Sequence, residues 1–282
     1  MVGGMTRLQI ISWNVNRLPS ETALGALRPS SDKLDVILLQ EVTNTSLEGY
    51  RQGLESLGFK DVVPRDSTPG TKNYGNVIAS RHKLVAVPPP RDVSYPELLL
   101  HARLELPASR SLHVVCVHAP NGSNNGWEKI HTLRGARTIV TSVGDEPVVV
   151  AGDFNEPRYL MGSPVRSRAW EPDRDWEDLR HRSWPRKNAR GVEESEPREN
   201  WDEAVRWFFD EKSGLQHAHW ATHGVGTIHA SHRTTSAVAP ERWFDHLFLS
   251  KSGRVIDSAY RDELCTPQGP SDHSGFWAEI EV

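Results

Sequence analysis

Val148-Val149-Val150-Ala151 runs without a polar break into Gly152-Asp153-Phe154-Asn155-Glu156-Pro157. Three β-branched residues followed by Gly, Asp, Asn and Pro predict a buried strand that ends in a loop. Side chains alternate with period two along a strand, so Asp153 and Asn155 face the same side if the extended geometry persists. A carboxylate beside an amide suits holding a water or a phosphate oxygen. Gly, Asp and Asn are also ordinary turn formers, and taken alone the segment is equally a solvated turn. What tips the balance is repetition, because four other apolar strands of the chain end the same way.

Taken in order, Leu8 to Asn16 reads as a strand closing on Asn14 and Asn16, and Ser20 to Leu27 as a short helix. Asp35 to Val42 carries an unbroken Val/Ile/Leu run, which predicts a strand buried on both faces that delivers Glu41 at its end. A carboxylate there is costly unless it is paired or binds a metal. Asn44-Thr45-Ser46 opens a helix that stops at Gly58. Strands follow at Asn73 to Ser80, Leu84 to Val87, Leu98 to Leu106 and Leu112 to His118, the last pair joined by a turn at Pro107 to Arg110. The final one ends in His118-Ala119-Pro120-Asn121-Gly122. From Trp127 to Val143 the spacing of Ile130, Leu133, Ala136, Ile139 and Val140 predicts an amphipathic helix that exposes Lys129, Arg134 and Arg137. Arg242 to Ser250 restores the strand pattern and carries Asp245, and a loop with Asp272 and His273 precedes a closing strand.

Residues from about 158 to 225 break this rhythm. They hold six of the ten tryptophans and change from net basic to net acidic near residue 193. Their apolar residues are too few for a core of their own, so the expectation is one domain over 1–282 with an inserted, Trp-rich, charged region. Within it, Asn200 to Glu211 reads as a helix with Trp201, Val205, Phe208 and Phe209 on one face.

A net charge of -4 argues against coating nucleic acid through bulk electrostatics, though not against meeting a phosphate through a bound cation. No apolar run is long enough to span a membrane, and the first residues enter a strand without a signal-peptide core, so a cytoplasmic protein is expected. The two cysteines, Cys116 and Cys265, have neither metal-ligand nor redox spacing and are expected as free thiols.

The polar strand-end residues are Asn14, Asn16, Glu41, His118, Asn121, Asp153, Asn155, Asp245, Asp272 and His273. Oxygen-rich ligands without thiolates favour a hard cation, Mg²⁺ or Mn²⁺, over structural zinc. The sequence carries no nucleophile motif and no phosphate-cradling glycine loop. Metal-assisted attack by water on a phosphorus ester is the chemistry such a set serves best.

Ser12-Trp13-Asn14-Val15-Asn16, Leu39-Gln40-Glu41-Val42, His118-Ala119-Pro120-Asn121-Gly122, Gly152-Asp153-Phe154-Asn155, Phe244-Asp245-His246 and Ser271-Asp272-His273-Ser274 stand in one order over nearly the whole chain. In that order they resemble the endonuclease/exonuclease/phosphatase superfamily. The resemblance implies a deoxyribonuclease I-like four-layer α/β sandwich: two packed, mostly antiparallel β-sheets flanked by helices, with the site at one rim. It implies Glu41 as a direct metal ligand with Asn14, Asp272 and Asn16 nearby, and Asp153 as the group that holds or deprotonates the attacking water, oriented by Asn155. It further implies His273, held by Asp245, at the phosphate, with Asn121 and Asn14 as phosphate donors. His118 stands where apurinic endonucleases have a tyrosine, so a tyrosyl role does not transfer. Asn16 stands where some relatives place an aspartate, which removes one negative charge and predicts weaker metal affinity.

Three substrate readings follow. The first is a nuclease with nucleic acid as substrate, since Ala119-Pro120-Asn121-Gly122 resembles the exonuclease III branch and the basic helix face and Arg186, Lys187 and Arg190 suit a phosphate backbone. The second is a phosphomonoesterase or phospholipase-like diesterase acting on an inositol phosphate, phospholipid or nucleotide. The third is a non-catalytic binding module of the same fold. His217, His219, His223, His229 and His232 follow no standard zinc spacing and read as part of an active-site rim loop, and the tryptophans of the insertion read as packing residues before base-stacking ones.

Overall fold

Strands built from unbroken Val/Ile/Leu runs need cover on both faces, and the chain supplies it with two sheets and two helical layers. The computed structural model describes residues 5–64, 72–122, 126–156, 197–233 and 242–282. The first sheet has the order β11-β12-β1-β2-β4-β3, from β1 (Arg7–Asn14), β2 (Val36–Thr43), β3 (Asp61–Pro64), β4 (Tyr74–Ser80), β11 (Arg254–Arg261) and β12 (Gly275–Glu281). The second has the order β5-β6-β7-β8-β10-β9, from β5 (Leu84–Val87), β6 (Leu99–Leu106), β7 (Arg110–His118), β8 (Val148–Asp153), β9 (Leu215–His217) and β10 (Asp245–Ser250). Helices α1 (Ser20–Ser31) and α2 (Leu47–Ser56) cover the first sheet, and α3 (Gly126–Ser142) and α4 (Pro197–Phe209) the second. A short helix, α5 (Ala218–His223), follows β9. This is the deoxyribonuclease I-like α/β sandwich that the resemblance implies. Among the described residues no helix is long and apolar enough to cross a membrane.

Each sheet is antiparallel except at one central pair, β1 with β2 and β7 with β8. Parallel neighbours deliver their carboxyl ends to the same edge, and the antiparallel neighbours β4, β10 and β12 begin where those strands end. Thr43 pairs with Tyr74, Asp153 with Asp245 and Ser12 with Phe276. The C-terminal ends of four strands and the N-terminal ends of three therefore share one rim.

The core between the sheets continues into that rim by strand parity. Leu8 and Ile10 on β1, Leu112 and Val114 on β7, Val149 and Ala151 on β8, and Leu249 and Leu247 on β10 all lie in this layer. Two residues further along the same faces come Ser12 and then Asn14, Cys116 and then His118, Asp153, and Asp245. A polar floor separates the apolar layer from the charged one. Buried Gln40 donates from Nε2 to Ser12 Oγ at 3.1 Å and to Cys116 Sγ at 3.1 Å, bridging the two sheets. Cys116 and Cys265 are buried free thiols, as expected.

Residues 197–223 differ from a surface insertion. Trp201, Ala204, Val205 and Phe208 of α4 are buried against α3, and β9 extends the second sheet at β10. This packing overturns the expected basic face of α3. Lys129 is fully buried, Arg134 donates to Asn200 and Arg137 pairs with Glu203. The spacing of α3 marks one covered face, but α4 covers a second. Residues 158–196, with Trp170, Trp176, Trp184 and the run Arg186, Lys187 and Arg190, lie outside the described residues.

Candidate active site

Asn14, Glu41, His118, Asp153, Asn155, Asp245, Asp272 and His273 converge at the rim. Asn14 is 1 % exposed and donates from Nδ2 to Asp153 Oδ2 at 3.0 Å and to Glu41 Oε1 at 3.5 Å. His118 Nε2 lies 3.6 Å from Glu41 Oε1 and 3.7 Å from Asp153 Oδ2. His273 Nε2 lies 3.8 Å from Asp153 Oδ2 and 4.0 Å from Asp272 Oδ1. Residues as distant in sequence as 14 and 273 thus form one connected polar cluster.

Local backbone conformation aims several of these groups. By strand alternation Gln40 faces the inter-sheet floor, so Glu41 would face the helical layer outside. The register of β2 against β4 shifts between Leu39 and Val42, and Glu41 takes φ +58°, a left-handed conformation. Such a residue costs roughly 1–3 kcal/mol. Each buried Leu or Val beside it contributes about 1.5–3 kcal/mol, so one or two neighbours offset the strain. Asn155 also has positive φ, at +50°. That turn brings its backbone N–H to Asp153 Oδ1 at 2.7 Å and its Nδ2 to Asp153 Oδ2 at 3.1 Å. Gly152 has φ +149°, and a Cβ there would sit 1.8 Å from the Val117 carbonyl oxygen, so only glycine permits β8 to lie this close to β7.

His273 is fixed from both sides of its ring. Nδ1 donates to Asp245 Oδ2 at 2.9 Å, and Nε2 faces the cleft. Burial alone depresses such an imidazole, but the charges of Asp245 and Asp153 and the bond to Asp245 outweigh it and raise His273 to about 10. Asp245 is set in turn by Ser231 Oγ, which accepts its backbone N–H at 3.0 Å. Burial would likewise raise Asp272, yet His232, 3.5 Å away, and the charge of His273 hold its carboxyl below the ordinary range.

Asn16 and Asn121 are exposed and line the same cleft, which has a volume of about 320 Å³. The backbone N–H of Asn16 donates to Asn14 Oδ1 at 2.9 Å. Asn14 thus turns its amide nitrogen toward the carboxylates, and its oxygen is already engaged. The cleft also contains Arg17, Lys72 and Tyr74, which sequence reasoning did not assign to the site, and His232, from the stretch read as a rim loop. Arg17 pairs with Glu41 at 2.9 Å and stacks over Tyr74. Tyr74 comes within 5.6 Å of the His118 ring, centroid to centroid. Burial, then the Glu41 charge, raises its hydroxyl above the ordinary value. Of the five histidines from 217 to 232, only His232 reaches this site. His217 bonds His246, and His229 pairs with Asp262.

The donor set fits a hard divalent cation. Oxygens of Glu41 and Asp272 line the cleft with Asp153 close by, and among the described residues the buried Asp272 Oδ1 has no hydrogen-bond partner. An oxygen so placed is destabilising unless a cation or water meets it. Two triads, Asp153/Asp245/His273 and His232/Asp272/His273, also bring their ligand atoms within 4.8 Å of one another.

The sequence model of the endonuclease/exonuclease/phosphatase family matches residues 11–273. The chain belongs to that family. Its members are metal-dependent enzymes acting on phosphate esters, nucleases and phosphatases among them. No curated protein sequence matches the chain significantly. Among solved structures, an AP endonuclease from Archaeoglobus fulgidus is similar with a TM-score of 0.66 and 18% identity, covering 96% of this chain and 98% of its own. D. rerio TDP2 complexed with single strand DNA product gives 0.61 at 17% identity, covering 98% and 100%. ANGEL2, a 2',3'-cyclic phosphatase in complex with adenosine-2',3'-vanadate, gives 0.62 at 17% identity, covering 99% and 96%. At these identities the likeness is one of fold.

Proposed function

We propose that this family member is a Mg²⁺- or Mn²⁺-dependent phosphodiesterase that hydrolyses DNA or RNA by direct attack of water on phosphorus. The observation that carries the reading is the single cluster in which Asp153 lies within 4 Å of both His118 and His273 while Asn14 bridges it to Glu41. A divalent ion held by Glu41 and Asp272 would supply Lewis-acid stabilisation of the charge that develops on the phosphoryl and leaving oxygens.

The residues of the chain do the rest. Asp153, with both oxygens held by Asn155 and one by Asn14, has a fixed direction from which to accept a proton from the attacking water. The Asp245 carboxylate accepts from His273 Nδ1 and keeps the ring protonated, so Nε2–H points into the cleft as a donor to a phosphoryl oxygen. Asn121, at the mouth, is a second donor to the phosphate. In this reading Asn14 sets the distance between Glu41 and Asp153, and Asn16 holds Asn14 through its backbone.

A second reading, a phosphomonoesterase or small-diesterase acting on a nucleotide, inositol phosphate or phospholipid headgroup, is favoured by one observation. The arginines of α3 that seemed suited to a phosphate backbone are occupied by α4. The test is hydrolysis by purified protein with Mg²⁺ or Mn²⁺ of plasmid, single-stranded DNA, RNA and a panel of phosphomonoesters. Strand scission abolished by chelator and by Asp153→Ala supports the first reading. Phosphate release from monoesters alone supports the second, and metal binding without turnover of any ester defeats both.

A further inference from the structure

Lys129 and Glu156 form an ion pair at 3.0 Å with side chains 0 % and 1 % exposed, and the mechanism above uses neither. Burying two charges is expensive, and such a pair is seldom worth more than an apolar substitute in stability alone. Its neighbours suggest another use. Lys129 Nζ, from α3, also donates to the Asn155 backbone carbonyl at 2.9 Å, behind the positive-φ turn that fixes both oxygens of Asp153. Trp201, from α4, donates from Nε1 to Glu156 Oε1 at 2.7 Å, and Lys129 Nζ sits 4.9 Å from the centre of its ring. The neighbouring rim loop, which follows β7, meets the same indole. At Gly122, φ +75°, a Cβ would come within 2.2 Å of the Trp201 ring, so the loop that carries Asn121 rests directly on it. His246 completes the ring of contacts by donating from Nε2 to the Glu156 carbonyl at 2.7 Å.

We infer that Lys129, Glu156 and Trp201 are positioning residues: a buried clamp through which α3 and α4 set the Asn155 turn and the Asn121 loop relative to Asp153. The inference rests on the phosphoesterase reading of the site, which it extends to three residues that touch no substrate. Charge serves orientation here. Lys129 has one arm on the turn and one on the carboxylate that follows it, so the turn cannot slide along β8 without breaking both bonds. Trp201 ties that carboxylate to the adjacent loop that carries Asn121, and displacement of a reacting group by about 1 Å is enough to slow an enzyme about 100-fold.

Two variants of the full chain test this. Trp201→Phe keeps the aromatic volume and removes the Nε1–H donor. Lys129→Met combined with Glu156→Leu replaces the pair by apolar residues of similar size, the exchange that buried pairs tolerate. The readouts are kcat and KM on the ester that the wild type cleaves, and hydrogen exchange at the Asn155 backbone N–H followed by NMR. Both variants are expected to fold, to lose about tenfold in kcat with KM within about twofold, and to exchange the Asn155 N–H about tenfold faster. Wild-type kcat and wild-type exchange in folded Trp201→Phe would overturn the clamp, whatever happens to its melting temperature. If the double variant does not fold, Trp201→Phe decides. If the wild type cleaves no ester, the phosphoesterase reading fails, and exchange at Asn155 still decides whether the clamp holds the turn.

Discussion

Asp153 is the residue on which most of the site's geometry turns. Its oxygens accept from Asn14 and Asn155, and His118 and His273 approach within 4 Å. Asp153→Asn removes the proposed proton acceptor while keeping the shape, and kcat is expected to fall by at least about 100-fold in a steady-state assay with little change in melting temperature. His273→Ala and Asp245→Ala act on one unit, so their effects on kcat are expected to be non-additive: the double variant should lose barely more than His273→Ala alone. Gly152→Ala tests the backbone instead. Its Cβ would fall 1.8 Å from the Val117 carbonyl oxygen, a contact that nothing flexible relieves, and the expected loss in chemical denaturation is at least about 3 kcal/mol. At this scale the sequence was most informative where an apolar run stops on a polar residue, because strand parity alone puts Asn14, His118, Asp153 and Asp245 on the inter-sheet side. It marked the histidine-rich stretch that holds His232 as a rim loop, and it was silent on Arg17, which comes from a loop whose path no periodicity specifies.

Elements explain what the sequence left unread. β3, β9 and β11 were not foreseen: β3 and β9 are four and three residues long, and β11, at the edge of its sheet, carries its polar and apolar residues in pairs with a register shift between Val255 and Asp257 that breaks the period of two. The apolar stripe of α3 was legible, yet a stripe says which face is buried and not what lies against the others. Hence Lys129 looked solvated until α4 covered it. The same packing holds a relay of neutral imidazoles. Trp220 N–H donates to His217 Nδ1, His217 Nε2–H to His246 Nδ1, and His246 Nε2–H to the Glu156 carbonyl. Burial pushes His246 down to about 3, and burial followed by the neighbouring histidine charges pushes His101 and His219 down to about 4. A folded-state value below that of the unfolded chain means that the unfolded state binds protons first as the pH falls. Their contribution to stability is therefore expected to be full above about pH 6.5 and to decline from there toward pH 4, by roughly 1.4 kcal/mol per pH unit for each such histidine. Calorimetric melting between pH 7.5 and 4.5 checks the sign, and His246→Phe should flatten the slope.

Over the whole molecule, two sheets with one parallel pair each bring strand ends to a common rim, and the six ordered motifs follow from that topology. A chain that folds this way carries its chemistry at positions far apart in sequence, which is why the fold and the convergence were legible together. The substrate was not, because the ordered motifs are those of a family that holds nucleases and phosphatases alike. Binding a cation to the folded state alone also stabilises it, by about 2.7 kcal/mol at a hundredfold excess over Kd, so Mn²⁺ should raise the melting temperature and chelator should reverse the rise. The most direct measurement is Mn²⁺ binding followed by electron paramagnetic resonance in the wild type, Glu41→Gln and Asp272→Asn. The proposed function predicts a site in the wild type that weakens at least about tenfold in each variant, since in that reading residues 231 positions apart serve one ion. Wild-type affinity in both variants would contradict the convergence on which the function rests.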